Sequence, residues 1–215
     1  DTEGKVLFYS DGVSLWDGRY HLVDLTLTSS RSHSQILAVK IPQKTDRYLI
    51  ICPEGRGNNV SEWKVTEIEA RKGERIKVIS ANQDFLSGNF MQATAVVPHR
   101  NEKDFWLLFH YAGKLRNQYL SVLLTKNGFE DKVLSKGKHQ VKQSKDSTLS
   151  NYGIGVMAIN NHFNVLASTF MGDEVAGGCE LMHFNNENGK LDSHIAHVNN
   201  LSDIKDPYGV LFSPN

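Results

Sequence analysis

The sequence predicts an all-β chain, and three observations carry that expectation. Short aromatic and β-branched runs recur from end to end, at residues 5–10, 48–52, 105–110, 119–124, 153–159 and 181–184. Turn-forming pairs such as Asp11-Gly12, Asn127-Gly128 and Asn188-Gly189 separate several of them. Helical periodicity is weak throughout. Its best stretch, residues 65–71, is short and ends at Lys72-Gly73, so it reads as strand end and loop, with a one-turn helix as the alternative.

Taken in order, the first run is closed by Asp11-Gly12, a pair that tolerates the positive φ of a type I′ hairpin turn. From there the strands repeat as a group. Four segments carry an apolar alternation that ends at Pro or Asn: 36–42, 93–98, 154–160 and 210–214, their ends 56, 62 and 54 residues apart. Each of the first three is followed by a polar turn and a second strand, at 47–52, 104–110 and 164–169. Third strands follow at 61–66, 119–124 and 179–184, and fourth strands at 75–80, 132–135 and 194–198. Four strands per repeat is the layout of a β-propeller blade, here with a longer period than the roughly 40–50 residues of common blades. The expectation is a β-propeller-like array of about four repeats in one domain over 1–215, at approximately 1–33, 34–91, 92–151 and 152–206. A β-sandwich of irregular hairpins is the alternative. Residues 207–215 start or close a blade: they either complete a small ring or lead into the rest of a longer propeller, and the longer propeller is expected.

Composition narrows function by exclusion. Across 215 residues, 24 Lys and Arg balance 24 Asp and Glu, which argues against a nucleic-acid binder, since that needs a cationic excess. No apolar run approaches the length of a membrane span. Cys52 and Cys179 are far apart and form no metal-type cluster. The first residues, Asp1-Thr2-Glu3-Gly4, lack the basic and apolar regions of a signal peptide.

Several segments look familiar together. Gly4-Lys-Val-Leu-Phe-Tyr-Ser-Asp-Gly12 with Val13-Ser-Leu-Trp16, then residues 34–39 ending at Pro42, then the hairpin 152–167, then Pro207-Tyr-Gly-Val-Leu-Phe-Ser-Pro-Asn215 run in one order. This order resembles the β-propeller-like domain of large secreted Bacteroidota proteins of the gliding-motility-associated type. Asn160-Asn161 stand where that family's hairpin has Ser-Pro-Asp. The resemblance implies an extracellular or outer-cell-surface location, type IX secretion, and a non-catalytic module that binds protein or glycan within a larger assembly. It also implies that Ser147, in Asp146-Ser147-Thr148, is an O-glycosylation site.

Read from the residues themselves, the chemistry-bearing types form no recognisable catalytic, cofactor or metal motif. The histidines, at 21, 33, 99, 110, 139, 162, 183, 194 and 197, make no His-Glu-x-x-His. His194 and His197 have an odd separation that on a strand points them to opposite faces, and His110 and His183 are expected to be packed or hydrogen-bonded in strands. Asp11, Asp17, Asp131 and Asp173 lie near glycines as turn formers rather than in a calcium loop. Ser87 and Ser168 lack a Gly-x-Ser-x-Gly context, and Gly153-Ile-Gly155 lacks the third glycine of a phosphate loop. Trp16, Trp63 and Trp106 fall in successive repeats and are expected to pack between blades, although one of them, with Tyr20 or Tyr111, could stack on a sugar ring. The leading expectation is therefore a binding scaffold. A glycan-active hydrolase or lyase at the channel, marked by clustered carboxylates, and a structural spacer are the alternatives.

Overall fold

Strands such as residues 105–110 are apolar at successive positions, and a strand of that kind is at home only where both of its faces are covered. The computed structural model, which describes residues 4–27, 36–55, 60–115, 117–138, 155–170, 178–199 and 209–213, covers them by stacking antiparallel sheets face to face. Blade one is β1 (Phe8–Ser10), β2 (Ser14–Asp17) and β3 (Leu22–Thr26). Blade two is β4 (Leu37–Lys40), β5 (Arg47–Glu54), β6 (Val60–Glu69) and the first part of β7 (Lys77–Pro98). Blade three continues from the rest of β7 through β8 (Phe105–Tyr111), β9 (Gln118–Thr125) and β10 (Gly128–Lys136). Blade four is β11 (Met157–Ile159), β12 (Val165–Phe170), β13 (Gly178–Asn185) and β14 (Lys190–Asn199). A single 3₁₀ turn, Gly113–Leu115, is the one helical element among the described residues.

Blades two and three form one seven-stranded sheet because β7, 22 residues long, serves both. Its residues 77–90 pair with β6 as the last strand of blade two, and residues 90–98 pair with β8 as the first strand of blade three. Phe90 is the changeover, opposite Val60 on one side and Tyr111 on the other. Irregular register along β6 and β7 lets the strand bend there.

Three cores correspond to the three contacts between blades. Leu15 and Leu27 of the first blade meet Ile50, Cys52 and Ile68 of the second. On the other face of β5, Leu49 and Ile51 join Trp63, Leu107 and Phe109 between blades two and three. Trp106 and Leu108, which alternate with Leu107 and Phe109, face Leu166, Met182 and Phe184 of blade four. Each such fully buried side chain contributes roughly 1.5–3 kcal/mol. The fold is thus all-β, a propeller-like array of antiparallel blades, three strands in the first and four in each of the others, in which the sheets are not closed into a ring among the described residues.

The turns between first and second strands repeat one another. Ile41, His99 and Asn160 each accept at their carbonyl from the N–H three residues on, at 3.2, 2.9 and 2.9 Å, and donate back across the turn to Arg47, Asp104 and Val165. Gln43, Glu102 and Phe163 take positive φ in these turns.

The structure corrects three expectations and decides between the two readings of residues 65–71. Asp11-Gly12 does close a hairpin, but only Gly12 has positive φ (97°). Asp11 instead accepts from the N–H groups of Val13 and Ser14 at 2.9 and 2.7 Å, which a type I′ turn does not require. Residues 65–69 are strand, since β6 runs to Glu69, so the helical alternative falls. The first strand expected at 210–214 is not formed by residues 209–213, where Leu211 is 93% exposed. A bulge in β14 sets Ala196 opposite Leu181 and His194 opposite Met182, so the strand does not alternate strictly past His194, and the His197 side chain lies outside what the structure describes.

Candidate functional site

Among the described residues, blade one carries an exposed aromatic surface. Register places Tyr9 opposite Trp16 and Trp16 opposite Leu22, so these three share the face turned away from blade two. Tyr9 stacks on Trp16 with ring centroids 5.1 Å apart and an interplanar angle of 8°. Tyr20 completes the group, its ring centroid 5.9 Å from that of Tyr9. Tyr20 is 80% exposed, and its backbone has a φ of 67°.

A buried aspartate builds the turn that presents Tyr20. Asp17, at the end of β2, accepts from the N–H of Arg19 at 2.8 Å, the N–H of His21 at 3.0 Å and the His21 ring Nδ1–H at 3.1 Å. Its own carbonyl accepts from Tyr20 N–H at 3.0 Å. Burial works to raise the Asp17 carboxyl, but the hydrogen bonds from His21 and Arg19 prevail and hold it below its ordinary value. Gly18 is required because a Cβ there would stand 2.2 Å from the Val6 carbonyl oxygen. A bulky residue with positive φ that buries almost nothing is backbone strain without a packing return, and such strain concentrates at functional positions.

A second polar cluster is fully enclosed between blades three and four. Ser168 Oγ lies 3.1 Å from His110 Nδ1, and the His110 ring stacks on Tyr119 at 4.1 Å. Tyr119 donates its hydroxyl to Glu180 Oε2 at 3.1 Å, and Lys138 N–H donates to Glu180 Oε1 at 2.6 Å. Ser168 and Glu180 have no exposed surface, so this Ser–His pair has no route to a substrate and its chemistry is structural. Sequence alone could not see it, because the partners are 58 and 61 positions apart and meet only when blades stack.

The other expected residues are distributed as follows. Trp63 and Trp106 are core residues, and Trp106 donates its indole N–H to the Asn186 carbonyl at 3.0 Å. Trp16 is only half-buried, and it is Tyr20, not Tyr111, that joins its surface; Tyr111 stacks on Phe90 instead. His110 is packed as expected, whereas His183 is exposed on β13. Asp131 lies at a register shift in β10 rather than a turn. Asp173 and Ser147 fall outside the described residues. Cys52 and Cys179 are free thiols. Among the described residues no three His, Cys, Asp or Glu side chains gather as a metal site, and no helix is long and apolar enough to cross a membrane. The first strands β4 and β11 and residues 91–98 of β7, which line the channel side in a propeller, carry no carboxylate. Among the described residues, the carboxylates that depart from their ordinary values are Asp11 and Asp17, and both are lowered, whereas a glycosidase acid is raised.

No family model and no curated protein matches the sequence. Among solved structures, the chain is similar to an exo-β-1,3-galactanase from Phanerochaete chrysosporium, at 6% identity and a TM-score of 0.46, over 91% of this chain and 43% of that one. It is also similar to a GH43 β-1,3-galactosidase, at 9% identity and a TM-score of 0.42, over 89% of this chain and 38% of that one. The chain therefore spans less than half the length of either, and likeness at this level carries no argument for a shared activity.

Proposed function

We propose that this protein is a non-catalytic recognition module that holds a saccharide against the aromatic face of blade one, as part of a larger exported or cell-surface assembly. The observation that carries the reading is Tyr20, an exposed aromatic ring held in a left-handed turn beside the stacked Tyr9 and Trp16. Aromatic rings with a polar tip suit the mixed surface of a sugar, whose C–H face stacks while its hydroxyls stay in water. Rigid blades with variable turns suit recognition, and the absence of a carboxylate pair among the described channel-side residues favours binding over hydrolysis.

The test is a glycan array followed by calorimetry on the best ligand, with the wild type and Tyr20→Ala. Saccharide binding that falls at least tenfold in the variant, with the melting temperature unchanged or raised, supports the reading. Retention of full affinity by Tyr20→Ala, or a partner that proves to be a protein with no glycan, sinks it. Fractionation of the native source tests the surface location: a protein recovered wholly from the cytoplasm contradicts that part.

A further inference from the structure

A chain with no net charge can still partition its charges, and here the partition is uneven. Some of the described cations are matched. Lys64 sits among Glu54, Glu62 and Asp84, Arg47 pairs with Glu67 at 2.6 Å, Arg71 engages Asp46 and Glu69, and Arg100 meets Glu187 at 2.8 Å. Lys40, Lys44 and Lys103 form no ion pair, and all three line one groove of about 360 Å³.

The groove lies where the first-to-second-strand turns of blades two and three meet. Ile41 and Pro42 give it an apolar wall, Phe105 an aromatic one, and Gln43 and Thr45 supply neutral hydrogen-bonding groups. No carboxylate of these same turns is part of its lining: Asp46 is turned to Arg71 at 3.2 Å, Asp104 accepts from the Asn101 amide at 2.7 Å, and the exposed Glu102, next to Lys103 in the chain, lies outside it. Both turns are fixed by backbone hydrogen bonds, so the lysines are presented from a rigid base.

We infer that this groove is a second binding site, distinct from the Tyr20 surface, for an anionic saccharide bearing carboxylate or sulfate groups. Three ammonium groups supply the countercharge, and lysines, as mobile point charges, suit anions spread around a ring better than the fixed fork of arginine would. Phe105 offers a ring face for stacking, and the volume lies at the lower end of the roughly 300–1,000 Å³ of small-ligand sites. A bare phosphate would need no aromatic wall. An extended polyanion would need a cationic track, which a groove of three lysines does not provide.

The experiment is calorimetry of the full chain with tetragalacturonate, a sulfated galactan tetrasaccharide and neutral galactotetraose, at low and at raised salt. Binding of the uronate, of the sulfate ester or of both is expected, with the preferred one naming the natural anion; the neutral sugar binds at least tenfold more weakly, and affinity falls as salt rises. Lys44→Gln and Lys103→Gln each weaken binding about three- to tenfold and the pair abolishes it, while Tyr20→Ala leaves it unchanged. These lysines form no ion pair, so the variants keep their folds, checked by an unchanged melting curve. Failure of both anionic sugars to bind overturns the proposal. So does equal affinity for inorganic phosphate or an oligoglutamate peptide, or a loss of anion binding in Tyr20→Ala.

Discussion

A Cβ placed on Gly189 would stand 2.7 Å from Cζ3 of the Trp106 ring, so the β13–β14 turn of blade four lies directly on the indole of blade three. The same turn accepts the indole N–H at the Asn186 carbonyl, and Glu187 at its tip meets Arg100. One small residue thus sets how closely two blades approach at their rim. Gly189 also has a φ of 72°, so Gly189→Ala combines left-handed strain of about 1–2 kcal/mol with an overpacking cost of about 1–3 kcal/mol. Urea denaturation followed by tryptophan fluorescence is expected to show a loss of about 2–5 kcal/mol. A neutral result would mean that the turn moves freely off the ring.

Asp17 makes blade one sensitive to acid. Its carboxyl is held below the ordinary value of 3.8, with burial opposed by the hydrogen bonds from His21 and Arg19, so the folded state prefers the charged form. That stabilisation is complete above the unfolded value and fades as pH falls through the lowered folded value. Melting temperature measured from pH 6 to pH 2 is expected to fall steeply at the acid end. Asp17→Asn should flatten part of that fall while lowering stability at neutral pH.

Tyr119→Phe removes the hydroxyl donor to the buried Glu180 and leaves the carboxylate with the Lys138 N–H and, at 3.7 Å, the His194 ring. The expected cost is about 1–3 kcal/mol, that of an under-satisfied buried acceptor. In the wild type, burial and the neighbouring Glu180 charge push the Tyr119 phenol well above its usual range. An ultraviolet titration should therefore leave this tyrosine protonated until the protein unfolds, and the Phe variant should lose no step below that point.

The two thiols should differ in reactivity. Burial pushes Cys52 up to about 12, and it lies 2% exposed in the core between blades one and two. Cys179 is raised too, by burial and then by the Glu180 charge, but it is half-buried on β13. Disulfide-exchange labelling at pH 8 is expected to modify Cys179 slowly and Cys52 only on unfolding. Rapid modification of Cys52 in the folded protein would contradict the packing of the first two blades.

The strands of blades two to four were legible in the sequence for a physical reason. A strand covered on both faces, such as Phe105–Tyr111, must be apolar at successive positions, and such runs stand out. The full length of β7 was not legible. Its middle, from Ser80 to Asn89, is polar because that stretch is the outer strand of its blade, so it reads as a gap between strands. Trp16 and Tyr20 were visible as aromatics, but not the part of Asp17, whose effect lies in accepting backbone N–H groups across a turn. The lysine groove escaped detection because Lys40 and Lys103 belong to different repeats and meet only through register.

The shared strand β7 also decides how the molecule can come apart. Blades one and four are each a sheet of their own, and their amides can exchange through local openings. Blades two and three have no seam, since the strand that ends one hydrogen-bonded ladder begins the next at Phe90. Peeling either away tears the backbone pairing of the other. The smallest cooperative unit at the centre of this protein is therefore seven strands rather than four, and any opening that reaches it must take both blades together.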